Sequence, residues 1–395
     1  MKKPVIVQKF GGTSVGTVES IHTVAKHVIN AKDEGNQVVV VVSAMSGETN
    51  RLMSLAKQVD SVPSARELDV LLSSGEQVSM ALLAMTLSKL GYQARSLTAT
   101  QARIETDSQH NEATIQCIKT DVISSLLDEG KIVVVAGFQG INDNGDITTL
   151  GRGGSDTSAV TLAGALQAKE CQIFTDVDGI YTCDPRVVPK AKKLDIIDFP
   201  SMEQMARKGA KVLHLPSVQY AWKHGVPLRV LSTFECNQGS LILGEEPTQD
   251  VTGLAISRNM LRIEIDLADL VSATTQCQML GINVWNVISH ADCAYIVIEY
   301  DSISKLDLVF RDKIRNSSRV SLLTVVGLRA KGLIKSSKQL LAHCEISVID
   351  CFTDNDSLTV VLSQDCVDIA AHALHDAYLA QGQVFDDHQK HMFLG

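Results

Sequence analysis

Two glycine-rich segments of this chain combine a positive charge, hydroxyl groups and unhindered backbone N–H groups. One runs Lys9-Phe10-Gly11-Gly12-Thr13-Ser14 after a short apolar run. The other runs Leu150-Gly151-Arg152-Gly153-Gly154-Ser155-Asp156-Thr157 in front of a helical pattern. Because glycine lets the backbone approach an anion closely, we predict an anion-binding loop at each segment. Two such loops facing each other could hold a phosphate donor and an anionic acceptor.

The charged residue of each loop indicates which anion suits it. Lys9 alone would be an ordinary solvated lysine at a strand end, but the glycines and hydroxyls that follow it favour a phosphate. Near Arg152, Ser155 or Asp156 could simply cap the next helix. Such a cap needs neither an arginine nor two glycines, whereas a guanidinium beside a helix N-terminus suits a carboxylate. The P-loop and dinucleotide-binding glycine motifs are absent, so a nucleotide would bind by another route.

A third candidate, Glu76, lies in a Ser-Ser-Gly-Glu-Gln segment within a helical pattern over residues 65–90. Glycine in a helix interior costs about 1 kcal/mol relative to alanine, so Gly75 needs a compensating reason. Either the helix breaks here, with Glu76 at the start of a second helix, or Glu76 is presented to the ammonium group of a substrate. The residues alone leave both interpretations open.

Residues 174–186 place acidic side chains at a strand end and an aromatic ring just beyond it. Acidic residues at such a place are common turn formers. Alternatively, Tyr181 could lie against a base, Arg186 near phosphates, and Asp176 on a ribose or on Mg²⁺. Lys211, which follows a Gly-Ala pair, could add positive charge or simply be solvated.

The composition excludes several classes of protein. The length of 395 residues predicts two or three domains, and a net charge of −9 without a Lys/Arg-rich run argues against a nucleic-acid partner. The longest apolar runs have strand length, so we expect no membrane association. Nine scattered cysteines without a C-x-x-C pair indicate reduced thiols in a cytoplasmic protein. The histidines lack metal-ligand spacing, so we predict no metal bound by protein ligands alone.

Short apolar runs alternate with helical periodicity from residue 4 to about residue 245. This alternation, with few aromatic residues, predicts an α/β fold in which a mostly parallel sheet is sandwiched by helices. Turn residues suggest two hairpins, at 142–146 and at Asp178-Gly179. The main predicted elements are strands at 5–10, 38–43, 131–136, 171–175 and 227–231 and helices at 17–32, 50–58, 65–90 and 156–167.

A polar, proline-bearing stretch at 243–252 marks a domain boundary, and the pattern beyond it is repeated. A βαββα order begins near residue 261 and recurs from residue 321. We therefore predict two small ferredoxin-like sandwiches that pack as a pair. The predicted domains are 1–245, 252–320 and 321–395, with interleaving of the last two left open.

Taken together, the N-terminal segments resemble the aspartate kinases of the amino-acid kinase family. The resemblance covers the region from 4 to 245 in order, and the ordered series is far more specific than any one motif. The segments that carry it are 7–14, 41–45, 74–76, 135–140, 149–157 and 175–182.

The resemblance implies an amino-acid-kinase-type fold and an ATP-dependent enzyme, with Mg²⁺, that phosphorylates the side-chain carboxylate of L-aspartate. The product would be 4-phospho-L-aspartate for lysine, threonine and methionine synthesis. Lys9 would stabilise the transferring phosphoryl group, and Asp156 would organise Lys9 and the hydroxyls. The substrate would contact Ser43, Thr49, Glu76, Arg152, Gly153, Gly154 and Ser155. The nucleotide would contact Lys9, Phe10, Gly11, Gly12, Thr13, Ser14, Thr175, Asp176, Tyr181, Arg186 and Lys211.

The C-terminal repeats resemble the paired ACT domains that bind amino-acid effectors in many aspartate kinases. The first repeat departs from the family pattern, because Asp266-Leu267-Ala268-Asp269-Leu270 stands where relatives commonly have a Pro-Gly loop. Its two negative charges disfavour an effector carboxylate, so feedback regulation and purely structural pairing both stay open. In either case we expect a homodimer or a higher homo-oligomer through these domains.

Two alternatives to an aspartate kinase stay open on sequence grounds. Another member of the fold could act on glutamate, acetylglutamate or a nucleotide monophosphate, although the C-terminal repeats and the Ser-Gly-Glu segment argue against it. A catalytically silent amino-acid sensor could have kept the scaffold, but Lys9, Arg152 and Asp156 are all present.

Overall fold

The computed structural model describes residues 3–380, which form two compact units. The first unit comprises residues 3–180, 193–203 and 211–246, and the second comprises 181–192, 204–210 and 247–380. Two short segments that the sequence places in the N-terminal domain thus belong to the second unit. The three predicted domain boundaries stay a prediction, and residues 1–2 of the first domain and 381–395 of the third lie outside the described residues.

The described residues form 20 strands and 11 α-helices. The helices are α1 (Val18–Asp33), α2 (Glu48–Val59), α3 (Ala65–Lys89), α4 (Asp121–Asp128), α5 (Gly154–Ala165), α6 (Phe199–Arg207), α7 (Leu215–Lys223), α8 (Leu270–Met279), α9 (Ile303–Phe310), α10 (Ile334–His343) and α11 (Val367–Tyr378). The strands are β1 (Val5–Phe10), β2 (Gln37–Val42), β3 (Ala94–Leu97), β4 (Ile104–Thr106), β5 (Ile115–Ile118), β6 (Ile132–Ala136), β7 (Gln139–Ile141), β8 (Ile147–Thr149), β9 (Glu170–Thr175), β10 (Ile180–Tyr181), β11 (Lys193–Leu194), β12 (Ile196–Ile197), β13 (Leu228–Ser232), β14 (Ser240–Ile242), β15 (Gly253–Asp266), β16 (Val284–Ser289), β17 (Cys293–Glu299), β18 (Ile314–Val326), β19 (Asp350–Asp354) and β20 (Ser357–Ser363).

The first unit is built on an eight-stranded sheet in the order β12-β14-β13-β9-β1-β2-β6-β3. All its neighbours are parallel except β13 and β14. Every residue of β2 and β6 is buried, as expected for strands that are covered on both faces. The predicted α/β sheet between helical layers is therefore confirmed.

The parallel arrangement brings several candidate site segments to one edge of this sheet. Because β1, β2, β6 and β9 run in the same direction, the segments that follow them emerge at a common carboxyl edge. Lys9, near the end of β1, lies between Val41 on β2 and Ile173 on β9. Open α/β sheets bind their ligands at this edge.

One of the two predicted hairpins is present. β7 and β8 pair antiparallel around the turn, where the side-chain oxygen of Asn142 accepts the N–H groups of Asn144 and Asp146. The hairpin predicted at Asp178-Gly179 is wrong. β9 pairs in parallel with β1 on one side and with β13 on the other, so it offers no free edge to the chain that follows Gly179.

Helix α3 is unbroken, so the predicted alternative of a helix break at Gly75 is wrong. A Cβ on Gly75 would lie 2.8 Å from the Cβ of Ala44, so glycine lets the helix approach the loop after β2.

Among the described residues, α3 is the one helix with the length and hydropathy of a membrane span. It contacts α1, α2, β3, β6 and β8, and half of its apolar stretch is buried, which is typical of a core helix.

The second unit contains one six-stranded antiparallel sheet in the order β16-β17-β15-β18-β20-β19. The two predicted repeats are present, but they share this sheet instead of forming separate ones. The reason is the length of β15 and β18, which have 14 and 13 residues and pair with each other at the centre. Two apolar cores stay distinct, one beneath α8 and α9 and the other beneath α10 and α11.

Candidate active site

A cavity of about 780 Å³ lies at the carboxyl edge of the first unit's sheet. Both glycine-rich segments line it, together with the loop after β2 and the side chain of Glu76 from α3. The fold thus brings together residues from distant parts of the sequence. The predicted site residues that line the cavity are Lys9, Gly12, Thr13, Ser43, Thr49, Glu76, Arg152, Gly153, Gly154, Ser155, Asp156 and Asp176.

Lys9 and Asp156 form an ion pair in this cavity. Lys9 Nζ lies 2.7 Å from Asp156 Oδ1, and the two side chains are only 12% and 14% exposed. Asp156 comes from the first turn of α5, where a carboxylate interacts favourably with the helix dipole. Partial burial strengthens the attraction between the two charges relative to water. The pair therefore holds the ammonium group at a defined point of the cavity.

Arg152 lies in a tight loop between β8 and α5. Gly151 and Gly153, on either side of it, both have a φ of 71°, which glycine adopts without strain. Arg152 is exposed, and within residues 3–380 it forms no ion pair. Its guanidinium is therefore available for a bidentate contact with a carboxylate.

Helix α5 begins at Gly154, with Gly153 as its N-terminal cap and no capping bond from a side chain. The capping role considered for Ser155 and Asp156 is therefore not realised in this helix. Ser155 is instead buried at the cavity wall, and Asp156 is paired with Lys9. Since a helix N-terminus carries a partial positive charge, this end of the cavity favours an anion.

Glu76 lines the cavity and is 3% exposed. Its Oε1 accepts the backbone N–H of Ala44 at 3.0 Å, while Oε2 is buried without a hydrogen-bond partner in the described part of the chain. Burial raises the pKa of Glu76 to about 7, and the N–H of Ala44 opposes that change. A buried carboxylate with one unused oxygen suits a cationic group. The geometry therefore favours the ammonium interpretation of Glu76.

The loop after β2 supplies hydroxyl groups to the cavity. The N–H of Ser43 donates to the carbonyl of Phe10 at 3.1 Å, and its own carbonyl accepts the Ser79 hydroxyl at 2.7 Å. Thr49 follows in the first turn of α2. These bonds tie the loop to β1 and to α3, so the hydroxyls of Ser43 and Thr49 are presented from a supported backbone.

Two residues predicted to bind a nucleotide have their side chains in the interior. Phe10 is fully buried and stacks on Phe174, with ring centroids 4.5 Å apart. Ser14 is also fully buried, and its hydroxyl lies 2.6 Å from that of Thr233. Neither residue is among those that line the cavity, and their nucleotide contacts stay a prediction.

Gly11 and Thr175 adjoin residues of the cavity wall. A Cβ on Gly11 would lie 3.5 Å from Lys9 Nζ, so glycine leaves space around the ammonium group. Thr175 ends β9, and its hydroxyl lies 3.0 Å from Asp176 Oδ1. Both positions agree with a phosphate-rich ligand near Lys9, which stays a prediction.

Comparison with known proteins decides the family. The sequence profile of the Amino acid kinase family matches residues 4–232. An aspartate kinase of Stutzerimonas stutzeri is 44% identical over 400 residues, covering 94% of this chain and 97% of its own length. An aspartokinase of Pseudomonas aeruginosa is 44% identical over 401 residues, with 94% and 97% coverage. The chain belongs to the aspartate kinases of the amino acid kinase family.

The fold of this aspartate kinase also matches a solved structure along nearly its whole length. Aspartokinase III of E. coli, in complex with lysine and aspartate and described as a T-state, aligns with a TM-score of 0.77 at 25% identity. The alignment covers 95% of this chain and 99% of the other. The catalytic fold and the C-terminal pair of ACT-like repeats therefore occur together, as the sequence predicts.

Three residues predicted to bind nucleotide in this aspartate kinase come from later parts of the chain. Lys211 is an exposed residue of the first unit, four residues before α7. Tyr181 and Arg186 belong to the second unit, where Arg186 Nη2 lies 2.8 Å from Asp184 Oδ2. Their contacts with a nucleotide stay predictions.

Two residues of this aspartate kinase lie at the site without having been assigned a role from the sequence. Phe138 lines the cavity with a φ of 69°, and its N–H donates to the Ser158 hydroxyl at 3.1 Å. Its position two residues after β6, at the carboxyl edge of the sheet, is a signal that the sequence contains. His214 packs on Gly153, where any Cβ would collide with its ring. Burial lowers the pKa of His214, with Asp156 opposing, and no sequence pattern predicts this contact.

Proposed function

We propose that this chain transfers the γ-phosphoryl group of ATP to the side-chain carboxylate of L-aspartate, forming 4-phospho-L-aspartate and ADP. The observation that carries the proposal is one cavity that holds a paired lysine, a buried glutamate and an arginine that forms no ion pair among residues 3–380. The aspartate kinases that are 44% identical over nearly the whole chain support the same reaction.

The charges of the cavity complement those of L-aspartate. Glu76 offers its unused Oε2 to the ammonium group, and Arg152 with Ser155 offers donors to a carboxylate. Hydroxyls of Ser43 and Thr49 complete the pocket. Since an acceptor without an ammonium group would leave the buried Glu76 unpaired, this arrangement favours an amino acid over a simple dicarboxylate.

The transfer step needs charge neutralisation and no general base. A carboxylate acceptor is already ionised at pH 7. It must, however, approach a negatively charged γ-phosphate, so Lys9 and the backbone N–H groups of the glycine loop offset that repulsion. As the bond from the acceptor oxygen to phosphorus forms, the bond from phosphorus to the β–γ bridging oxygen breaks. ADP leaves with that electron pair, while Asp156 keeps the Lys9 ammonium in place.

Mg²⁺ fits this cavity as a companion of the nucleotide. This ion prefers oxygen ligands and commonly binds phosphate oxygens together with one or two carboxylates. Asp176 offers such a carboxylate just after β9, whereas Asp156 is already paired with Lys9. When bound, the ion supplies further neutralisation of the phosphate charge.

We propose that the second unit mediates oligomerisation and binds an amino acid that regulates the kinase activity. The similar E. coli structure contains lysine and is described as a T-state. In the first repeat, Asp269 pairs with Lys313 at 2.7 Å and Asp266 pairs with Arg315. Both negative charges of this loop are thus neutralised internally, which removes the charge objection to an effector carboxylate. We therefore favour a regulated homodimer or higher homo-oligomer over purely structural pairing.

The proposed reaction and the cysteines together suggest a pathway and a location. The product of the reaction is an acyl phosphate, which would serve the synthesis of lysine, threonine and methionine. Exposed Cys117, Cys236 and Cys344 are free thiols in the structure, which supports a reducing, cytoplasmic location.

The proposed reaction is tested by incubating the purified full-length protein with Mg-ATP, L-aspartate and hydroxylamine, which converts an acyl phosphate into a hydroxamate. We expect aspartyl hydroxamate and an equal amount of ADP. Folded protein that forms no aspartyl hydroxamate would overturn the proposal. L-Glutamate, N-acetylglutamate and UMP in place of aspartate test the other kinase activities, and binding of an amino acid without turnover would identify a sensor.

Regulation is tested in the same assay with lysine, threonine and methionine added singly and together. We expect at least one of these additions to lower the rate of hydroxamate formation. Unchanged rates with all three, at concentrations well above that of aspartate, would favour a purely structural second unit.

A further inference from the structure

We infer that Asp69 is a positioning residue for the substrate, because its buried carboxylate holds the loop that presents Arg152. Asp69 lies early in α3, outside the cavity lining, and its side chain is fully buried. A buried carboxylate is costly unless hydrogen bonds compensate it, so its partners indicate its purpose. The inference rests on the substrate-binding role proposed above for Arg152.

Both oxygens of Asp69 accept hydrogen bonds from outside their own helix. The Thr149 hydroxyl donates to Oδ1 at 2.5 Å, and His110 Nδ1 lies 2.6 Å from Oδ2. The backbone N–H of Asn111 is shared between the two oxygens at 3.1 and 3.2 Å. One carboxylate thus joins α3, the end of β8 and the loop between β4 and β5.

These partners support the backbone next to Arg152. Thr149 is the last residue of β8, and its carbonyl accepts the N–H of Ala113 at 2.9 Å. A Cβ on Gly151 would lie 3.2 Å from the carbonyl oxygen of Asn111, so the loop that contains Asn111 lies directly against the arginine loop. The carboxylate therefore fixes both segments that bound the start of the arginine loop.

The same face of α3 carries Glu76. It follows Asp69 by seven residues, which is almost two helical turns, so the two carboxylates share one face roughly 10 Å apart along the axis. Between them, the carbonyl of Ser73 accepts the side-chain amide of Gln139 at 3.0 Å, and Gln139 belongs to β7, the partner of β8. α3 is thus attached at two points to the hairpin that leads to Arg152.

One rigid helix therefore sets the separation between the proposed ammonium site and the arginine loop. A substrate held at both ends tolerates little change in that separation, because a small misplacement weakens both contacts. Loosening the Asp69 contacts should impair binding of aspartate and leave binding of ATP nearly unchanged. A merely structural role would lower stability without this selectivity.

The first test replaces Asp69 by asparagine, which keeps the shape of the side chain. One carboxylate oxygen, which now accepts hydrogen bonds, becomes an amide N–H₂ group that faces other donors. We expect D69N to raise the KM for L-aspartate by about tenfold, with the KM for ATP changed by less than about twofold. T149V removes a single donor of the cluster at nearly equal volume. It should raise the KM for aspartate in the same direction by a smaller factor, and it carries the test if D69N does not fold.

The second test places D69N in an R152A background. Because Asp69 is inferred to act through Arg152, D69N should leave the KM for aspartate of R152A unchanged, although it raises that of the wild type. Multiplicative effects of the two substitutions would overturn the inference. So would equal increases in the KM values for aspartate and ATP, or an unchanged KM for aspartate in both D69N and T149V.

A control separates positioning from general destabilisation. Leu87 is fully buried on the same helix, far along the chain from the cluster, and L87A should lower the melting temperature without changing the KM for aspartate. If L87A raises this KM as much as D69N, the inference fails. Failure of the proposed function is distinguishable, since then the wild type would not phosphorylate aspartate or R152A would leave its KM unchanged.

Discussion

The two positively charged side chains of the cavity, Lys9 and Arg152, differ in their partners. Lys9 Nζ is held 2.7 Å from Asp156 Oδ1, whereas Arg152 forms no ion pair within the part of the chain from residue 3 to residue 380. A preorganised charge is most useful where charge develops in the transition state. An unpaired guanidinium is better suited to binding and releasing a substrate. At the residue scale, we therefore assign turnover mainly to Lys9 and aspartate affinity mainly to Arg152.

The assignment of Lys9 predicts a selective loss in K9A. We expect kcat to fall by about 10²–10³-fold, with the KM for aspartate changed by only a few-fold, because the ammonium group matters most while the phosphoryl group is in flight. Steady-state kinetics with both substrates varied measure this. As a control, K131A removes a lysine that pairs with Glu129 at the surface of the same unit and should leave both constants unchanged. A raised KM with normal kcat would contradict the assignment.

Burial of Glu76 makes the ligand-free protein less stable at alkaline pH. Its pKa is raised to about 7, so the folded state holds this proton more tightly than the unfolded chain does. The free energy of unfolding therefore falls as pH rises from the unfolded pKa of about 4.5 through about 7, by at most about 1.4 kcal/mol for each pH unit. E76Q should be more stable than the wild type at pH 8, with a smaller advantage at pH 5. Urea unfolding at both pH values checks this, and an equal difference at both would contradict it.

The same carboxylate predicts how aspartate binding depends on pH. Only ionised Glu76 would pair with the ammonium group, so the KM for aspartate should change little above the pKa of about 7. Below that pH it should rise by up to about tenfold for each pH unit, down to pH 5.5. E76Q should show a high KM that varies little over this range. A parallel pH dependence in both proteins would remove Glu76 from the pocket.

At the scale of elements, α3 positions several residues and loops around the proposed substrate pocket. Its side chain Glu76 lines the cavity. The Ser73 carbonyl of α3 accepts a hydrogen bond from the side chain of Gln139, and the Asp69 carboxylate accepts one from the backbone N–H of Asn111. Its close approach to the loop after β2 depends on Gly75, whose missing side chain leaves room for Ala44. The position of one helix therefore governs several groups that would contact aspartate.

Alanine at position 75 should be harmful although it favours helix formation. The new Cβ would lie 2.8 Å from the Cβ of Ala44, a contact that neither a rigid helix nor a supported loop relieves easily. We expect G75A to lower the free energy of unfolding by about 1–3 kcal/mol and to raise the KM for aspartate. S88A, on an exposed position of the same helix, should leave the KM unchanged and add a few tenths of a kcal/mol. Stabilisation by G75A would show that the packing argument is wrong.

At the scale of the whole molecule, the chain contributes two internal segments of its N-terminal part to the second unit. In the segment 181–192, the hydroxyl of Thr182 lies 2.9 Å from Nε2 of His375, which is fully buried. In the segment 204–210, Lys208 is 7% exposed and lies 3.5 Å from Asp354 and 5.8 Å from the ring centroid of Phe352. Polar contacts thus attach both segments to the second unit, so unfolding of that unit would release chain that leads directly to the catalytic fold.

The buried His375 predicts a pH dependence for the second unit. Burial lowers its pKa below the ordinary 6.5, so the unfolded chain binds this proton more readily and stability is lost as pH falls below 6.5. H375Q keeps a polar partner for Thr182 but does not titrate. From pH 7.5 to 5.5, it should lose less stability than the wild type, measured by hydrogen exchange of β18 and β20. The exposed H372Q on the same helix should behave like the wild type, and equal losses in all three proteins would contradict this account.

Local sequence patterns predicted most elements of the fold. The alternation of apolar runs and helical periodicity predicted the strands β1, β2, β6 and β9 and the helices α1, α2, α3 and α5, and turn residues predicted the β7–β8 hairpin. These features depend on backbone preferences within a few residues. Where the outcome depended on distant partners, the patterns were insufficient. The turn at Asp178-Gly179 formed no hairpin because β1 and β13 occupy both edges of β9, and α3 stayed whole because Gly75 packs on Ala44.

The sequence by itself determined the family, the α/β class and the two glycine-rich loops, because each is encoded in contiguous residue types. Only the tertiary structure decided which distant residues contact those loops. It placed Lys9 on Asp156, put His214 against Gly153, and gave Asp69 partners 41, 42 and 80 residues away along the chain. It also merged the two C-terminal repeats into one sheet through β15 and β18. Such contacts follow from packing and strand register, which join residues that no local pattern connects.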